Sequence, residues 1–165
     1  MTDQMSTEEK RDVSGFNALV FKGMGRVDLV QGDHEELVIE AQPEIRSRIQ
    51  TTVENGTLVI DYNEDWKDWT GFRLIDKGMT IYHVKMKDIQ SLTVAGVGSV
   101  DCAEINSDAL SITLSGPGTL TVGAVKANSL SVEISGVGSV DIAGKCAEQH
   151  LTLSGAGSYQ GTRME

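Results

Sequence analysis

Asp28, Asp101 and Asp141 stand in the same setting, each following the valine of a Gly-x-Gly-x-Val-Asp run. Two carboxylates can cleave a glycosidic bond, one as acid and the other as base, and inverting enzymes hold theirs about 6.5–9.5 Å apart. That chemistry needs an apolar surrounding to raise the affinity of one carboxylate for its proton. The neighbours here are Ser and Thr, so a solvated outer face is the plainer expectation. Thr121 and Gln160 fill the same place in other copies of the run and would dilute the repulsion. The Gly-x-Gly-x-x-Asp pattern is also similar to calcium-binding repeats. Those recur about every nine residues, however, whereas these recur at roughly twice that interval, and no metal is expected. Nor is a phosphate cradle: Gly96-Val97-Gly98 and Gly136-Val137-Gly138 lack the third glycine of the dinucleotide fingerprint and lead into strand patterns.

The remaining chemistry-bearing residues are scattered. Cys102 falls in an apolar column with Val122 and Ile142, as a small buried residue would. Cys146 falls in another column about two repeats away, so two free thiols are expected rather than a disulfide. His34, His83 and His150 make no zinc spacing with the cysteines. The densest aromatic group is Trp66, Trp69 and Phe72, within Asp65-Trp66-Lys67-Asp68-Trp69-Thr70-Gly71-Phe72. Such residues can stack on sugar rings or anchor a partner. They can equally cap an open sheet end, which needs cover against polymerisation. The cap is the preferred reading.

What positions these residues is a repeat. Val94-Ala95-Gly96-Val97-Gly98-Ser99-Val100-Asp101 is followed by Leu114-Ser115-Gly116-Pro117-Gly118-Thr119-Leu120-Thr121. Ile134-Ser135-Gly136-Val137-Gly138-Ser139-Val140-Asp141 and Leu153-Ser154-Gly155-Ala156-Gly157-Ser158-Tyr159-Gln160 complete the series. The first glycines lie 20, 20 and 19 residues apart, and a fifth copy sits far upstream at Phe21-Lys22-Gly23-Met24-Gly25-Arg26-Val27-Asp28. Alignment yields apolar columns (Leu92, Ile112, Val132, Leu151; Val94, Leu114, Ile134, Leu153; Val100, Leu120, Val140, Tyr159) with polar columns between them. Alternation of this kind marks strands with one wet face. A coil of about twenty residues would hold two or three short strands with turns, and coils would stack about 4.8 Å apart. Glycine at the corner would allow positive φ and close approach of neighbouring coils. The expected fold is therefore all-β, a parallel β-solenoid in the C-terminal half. Residues 1–11 are expected to be a mobile tail. Residues 12–161 are expected to form one domain, with a hairpin-and-strand part over 12–90 and four Gly-x-Gly coils over 91–161.

In the N-terminal part, Asn17 to Val30 reads as two strands around Gly23-Met24-Gly25. Gln31-Gly32-Asp33 reads as a turn and Glu36 to Ala41 as a strand. Pro43 to Ile49 suits one or two helical turns, with Pro43 at a first helical position. Ile49–Val53 and Leu58–Tyr62 flank Asn55-Gly56, a strong hairpin signal because both residues tolerate positive φ. That role also accounts for Asn55-Gly56-Thr57 without glycosylation. Met79 to Met86 reads as a further strand.

Composition narrows the function classes. Of 165 residues 39% are apolar and 5% aromatic, with 18 glycines but two prolines, which suits a thin stack rather than a thick core or disorder. A formal net charge of −10 argues against nucleic acid and against electrostatic docking on anionic membranes. No apolar run reaches the roughly 18 residues of a membrane span, and no signal peptide is visible.

The Arg11–Ala18 run, the Val27–Asp33 segment, the Glu54–Ile60 hairpin and the repeated Ser-Gly-x-Gly-Ser-Val pattern together resemble the bacterial family called putative auto-transporter adhesin, head GIN domain. The resemblance spans roughly Arg11 to Tyr159. It implies a right-handed β-helix-like fold exported to the envelope, and it brings no catalytic residues with it. The expected function is thus a non-enzymatic, envelope-associated binding or structural module, adhesin-like, without a cofactor. The candidate binding residues are Trp66, Trp69, Phe72, Asp101 and Asp141. A carbohydrate-active enzyme using Asp101 and Asp141 is the alternative. The expected partner is a polysaccharide or a protein, and exposed coil ends offer a second copy a packing surface, hence a homodimer. The expected location is the periplasm or cell surface after removal of a signal not present in this chain, with the cytoplasm second.

Overall fold

A computed structural model describes residues 7–11, 13–41, 49–62 and 80–164. These residues form one mixed sheet of twelve strands and contain no helix. The strands are β1 (Thr7–Arg11), β2 (Ala18–Phe21), β3 (Met24–Gln31), β4 (Glu36–Ala41), β5 (Ile49–Glu54) and β6 (Thr57–Tyr62). They continue as β7 (Ile81–Met86), β8 (Ser91–Val94), β9 (Val97–Leu114), β10 (Thr119–Ile134), β11 (Ser139–Leu153) and β12 (Ser158–Met164).

The twenty-residue period appears directly as strand register. β9 pairs with β10 in parallel, Val100 opposite Leu120 and Leu114 opposite Ile134. β10 pairs with β11 in the same way, Leu120 opposite Val140 and Ile134 opposite Leu153. β12 follows on β11, with Asp141 opposite Gln160. The two ends of β9 take different partners on its other side. Its start lies beside β3, Val100 opposite Val27, and its end beside β8, Ile112 opposite Leu92. β8 in turn pairs with β2, and β2 with β6. A strand whose ends lie over different neighbours must bend, so the sheet curls round its apolar side. Each strand runs on through its bend, with a register shift between Val122 and Val125 where β10 meets β11. This gives runs of 15 to 18 residues rather than the expected two or three short strands per repeat.

The upstream copy of the motif is not an isolated echo. Met24, Gly25, Val27 and Asp28 sit opposite Val97, Gly98, Val100 and Asp101. On its other side β3 pairs in parallel with β7. The first copy in sequence is therefore the spatial neighbour of the second, though about seventy residues separate them. β4 extends this side antiparallel to β7 and β1 follows antiparallel to β4, and β5 closes the other side as a hairpin with β6. The hairpin turns at Asn55 and Gly56, with φ of 53° and 76°, the left-handed pair a two-residue turn requires.

Alternation sorts the side chains. Leu19, Phe21, Leu58, Ile60, Leu92 and Val94 face inward on one wall, and Val27, Leu29, Leu37, Ile39, Tyr82 and Val84 on another, all at most 2% exposed. Phe21 and Tyr82 meet edge to face across the interior, centroids 5.2 Å apart. The apolar columns then run out at the last rung. Ile134 is fully buried, but Leu153 below it is 48% exposed and Leu151 is 43% exposed.

Two expectations need correction. Thr7–Arg11, expected within the mobile tail, forms β1 because its backbone completes the edge of β4. The Arg11 guanidinium also donates to the Ile49 carbonyl at 3.0 Å, tying β1 to β5. Of the two roles expected of the motif glycines, moreover, positive φ is the exception and close approach of neighbouring strands the rule. Only Gly25 and Gly98 among them have it, at 132° and 147°. At Gly116, Gly118, Gly136, Gly138, Gly155 and Gly157 the reason is proximity, since a Cβ would meet the backbone carbonyl of the rung before. Gly96 faces the Gly23 carbonyl in the same manner. The corner is held by a recurring bond pattern. The Phe21 carbonyl accepts from Ala95 and Gly96, that of Val94 from Ser115 and Gly116, and that of Leu114 from Ser135 and Gly136. The expected helical turns over Pro43–Ile49 lie largely outside the described residues; Ile49 itself begins β5.

Candidate functional site

Because the rungs are in register, the position after the motif valine becomes a row on the outer face. His83, Asp28, Asp101, Thr121 and Asp141 follow one another across β7, β3, β9, β10 and β11. A row of hydroxyls lies two residues away, where Ser99, Thr119 and Ser139 are mutual partners. Asp101 and Asp141 are thus two strand spacings apart, roughly 10 Å, with Thr121 between them. Asp101 is ion-paired with Arg26 at 3.4 Å, and Arg26 also donates to Asp28 at 2.9 Å. The Asp101 side chain is 44% exposed. A solvated carboxylate held by a guanidinium is a surface charge, not a desolvated acid.

The same face carries a cluster that sequence spacing did not reveal. β1, β4 and β7 bring together Glu8, Glu40 and His83, whose ligand-capable atoms all lie within 4.8 Å of one another. Glu8 and Glu40 are direct partners across the antiparallel β1–β4 pair. His83 Nε2 is 3.1 Å from Glu40 Oε1, and its Nδ1 is 3.8 Å from Asp28 Oδ2. No sequence motif could have signalled this, since the three residues come from strands far apart in the chain. The weak hint is that each occupies a wet position of an alternating strand. The zinc expectation rested on His–Cys spacing and the calcium one on the Gly-x-Gly-x-x-Asp repeat, and this donor set belongs to neither.

A second His–carboxylate group sits at the β3–β4 turn. His34 lies 2.7 Å from Asp33 and 3.0 Å from Glu36. Its pKa is raised by the hydrogen bond with Glu36 and then by that with Asp33. Both carboxyls are lowered by the same histidine.

A polar hollow of about 430 Å³ opens where the rungs bend away from the glycine corner, lined by Asp88, Asn106, Ser107, Asp108, Lys126 and Asn128 among others. Gln31 braces its edge: its amide donates to the Asn106 and Lys87 carbonyls at 2.9 and 3.1 Å, and its oxygen accepts from the Asn106 N–H at 2.8 Å. Asn128 donates to Asp108 at 3.4 Å from the next rung. Sequence reading did not single out these residues, because the bend places together positions that look like ordinary solvated ones.

Cys102 is buried and opposite Val122, and burial pushes its thiol up to about 11. Cys146 is partly exposed, opposite Ala127. Trp66, Trp69 and Phe72 lie outside the described residues.

Comparison with known proteins gives a consistent result. Residues 15–165 match the family described as putative auto-transporter adhesin, head GIN domain. A search among curated proteins finds no match. Among solved structures, a putative adhesin from Bacteroides fragilis is similar with a TM-score of 0.62 at 16% identity, covering 94% of this chain and 96% of that one. A putative adhesin from Parabacteroides distasonis gives 0.64 at 15% identity, covering 96% and 74%. A putative cell adhesion protein from Clostridium sporogenes gives 0.60 at 10% identity, covering 94% and 98%. At these identities the likeness is one of fold.

Proposed function

This chain belongs to the putative auto-transporter adhesin, head GIN domain family, and from that premise we propose that it is a non-enzymatic, adhesin-like binding module of the bacterial envelope. The observation that carries the reading is the outer row of His83, Asp28, Asp101, Thr121 and Asp141 on five consecutive parallel strands. With the neighbouring hydroxyl row it repeats hydrogen-bonding groups about every 4.8 Å. A linear polysaccharide, itself a periodic string of hydroxyls, is the ligand chemistry such a wall fits best. We read the rungs as coils of a right-handed parallel β-solenoid with the Gly-x-Gly segment as its repeating unit. The periplasm or cell surface is its place of action. The names of the similar structures support the adhesin-like role, and the Arg26–Asp101 ion pair weighs against hydrolysis by Asp101 and Asp141.

Glycan-array binding of the full chain tests this reading. The Asp101→Asn/Asp141→Asn variant is expected to lose at least about ten-fold in affinity, the worth of one or two charge-assisted hydrogen bonds. Retained affinity removes the wall from the account. A parallel Trp66→Ala/Trp69→Ala variant reads the contribution of the aromatics. Cleavage of any glycan overturns the non-enzymatic reading.

A further inference from the structure

We propose that Glu8, Glu40 and His83 form a binding site for a divalent transition cation, Zn²⁺ being the best fit, that clips the N-terminal strand to the sheet. The donor set is two carboxylates and one imidazole, with ligand atoms within 4.8 Å of one another. Mixed nitrogen and oxygen donors suit Zn²⁺ and its borderline neighbours better than calcium or magnesium, which take oxygen alone. Two charges of −1 and a neutral imidazole would balance the ion.

Three features of the geometry point the same way. Donors on a tetrahedral zinc, at about 2.0–2.1 Å from the metal, lie roughly 3.3 Å apart. His83 Nε2 and Glu40 Oε1 are already at 3.1 Å, and the exposed Glu8 carboxylate lies within 4.8 Å of both. Next, Glu8 and Glu40 are directly opposed across an antiparallel pair, an arrangement that costs stability for like charges unless a cation lies between them. Finally, Asp28 faces the other ring nitrogen of His83 at 3.8 Å and is itself held by Arg26. Histidines that bind metal usually direct their second N–H to such a carboxylate, which fixes the tautomer and leaves Nε2 free to ligate.

The position of the site has a consequence for the fold. β1, β4 and β7 are consecutive neighbours, and one ligand comes from each. An ion held by all three strands couples β1, which among the described strands pairs only with β4, to the body of the sheet. His83 also belongs to the outer row, so the two readings share a residue and are told apart by their tests, metal binding for this one and glycan binding for the other.

Calorimetric titration of Zn²⁺ into the untagged, metal-free full chain, together with thermal melts, tests it. One ion per chain is expected. At one hundred times Kd the melting temperature should rise by about 5–10 °C for a chain of this size. His83→Ala and Glu40→Gln should each weaken binding at least about ten-fold, while His34→Ala leaves it unchanged. In case a variant does not fold, the histidine NMR signals of the unaltered chain give a second reading: Zn²⁺ should shift the His83 ring and not those of His34 or His150. The absence of heat and of a melting shift overturns the proposal and leaves His83 simply placed between the Glu40 and Asp28 carboxylates. Binding that survives both substitutions, or that moves His34 instead, also overturns it.

Discussion

Between Val97 and Leu153 the order of the chain and the order in space agree, each rung lying on the one made twenty residues earlier. Between Ala18 and Met86 they do not. There β2 and β3, first in sequence, are sandwiched between β6 and β7 on one side and β8 and β9 on the other. The same Gly-x-Gly corner serves both regions. In the first it joins neighbours through local contacts, and in the second it closes a loop of about seventy residues. The contrast shows that the motif specifies a shape of rung, not which rung comes next. It also shows why the N-terminal region carries the antiparallel strands: a stack that begins in its own middle needs separate segments to finish the sheet beyond it.

The junction between the two regions is where a substitution should matter most. Gly98 has φ of 147°, and a Cβ there would run into the Gly25 carbonyl. Gly98→Ala is expected to cost about 3 kcal/mol or more, from backbone strain and the separation of β3 from β9. Urea denaturation measures this, with Ser99→Ala on the wet face as a control expected to stay within about 0.5 kcal/mol. A small loss at Gly98 would mean that the two regions are joined less tightly than the stacked motifs imply.

A gradient along one apolar column sharpens the comparison within the ladder. Ile134 is fully buried and Leu153, its partner one rung on, is 48% exposed. Ile134→Ala should cost about 2–5 kcal/mol through the cavity it leaves, and Leu153→Ala less than about 1 kcal/mol. Equal losses in denaturation midpoints would indicate that another surface covers the last rung, as in a homodimer packed end to end.

The smallest effect is on reactivity rather than stability. Cys102 sits at the junction, opposite Leu29, and its thiol is pushed up to about 11 by burial. Cys146 lies partly exposed near the open end. A disulfide reagent at pH 8 should therefore label one thiol per folded chain, at Cys146, and reach Cys102 only on unfolding. Fast labelling of both would show that the junction opens.

Much of the fold was written in local pattern. The columns headed by Val94 and Val100, the Asn55–Gly56 hairpin and the inward place of Cys102 follow from alternation and turn chemistry, which act over a few residues. The row of Asp101, Thr121 and Asp141 follows as well once the period is known. What local pattern could not supply is the place of the first Gly-x-Gly copy, the docking of Thr7–Arg11 and the meeting of Glu8, Glu40 and His83. Those depend on which strand edges find each other, and every wet alternating strand offers the same donors and acceptors. The sequence therefore determined the rung and its spacing by itself. Tertiary structure alone decided the order of the rungs and the charges brought together at their edge, because backbone pairing is indifferent to chain distance and is selected by which apolar faces close over one core.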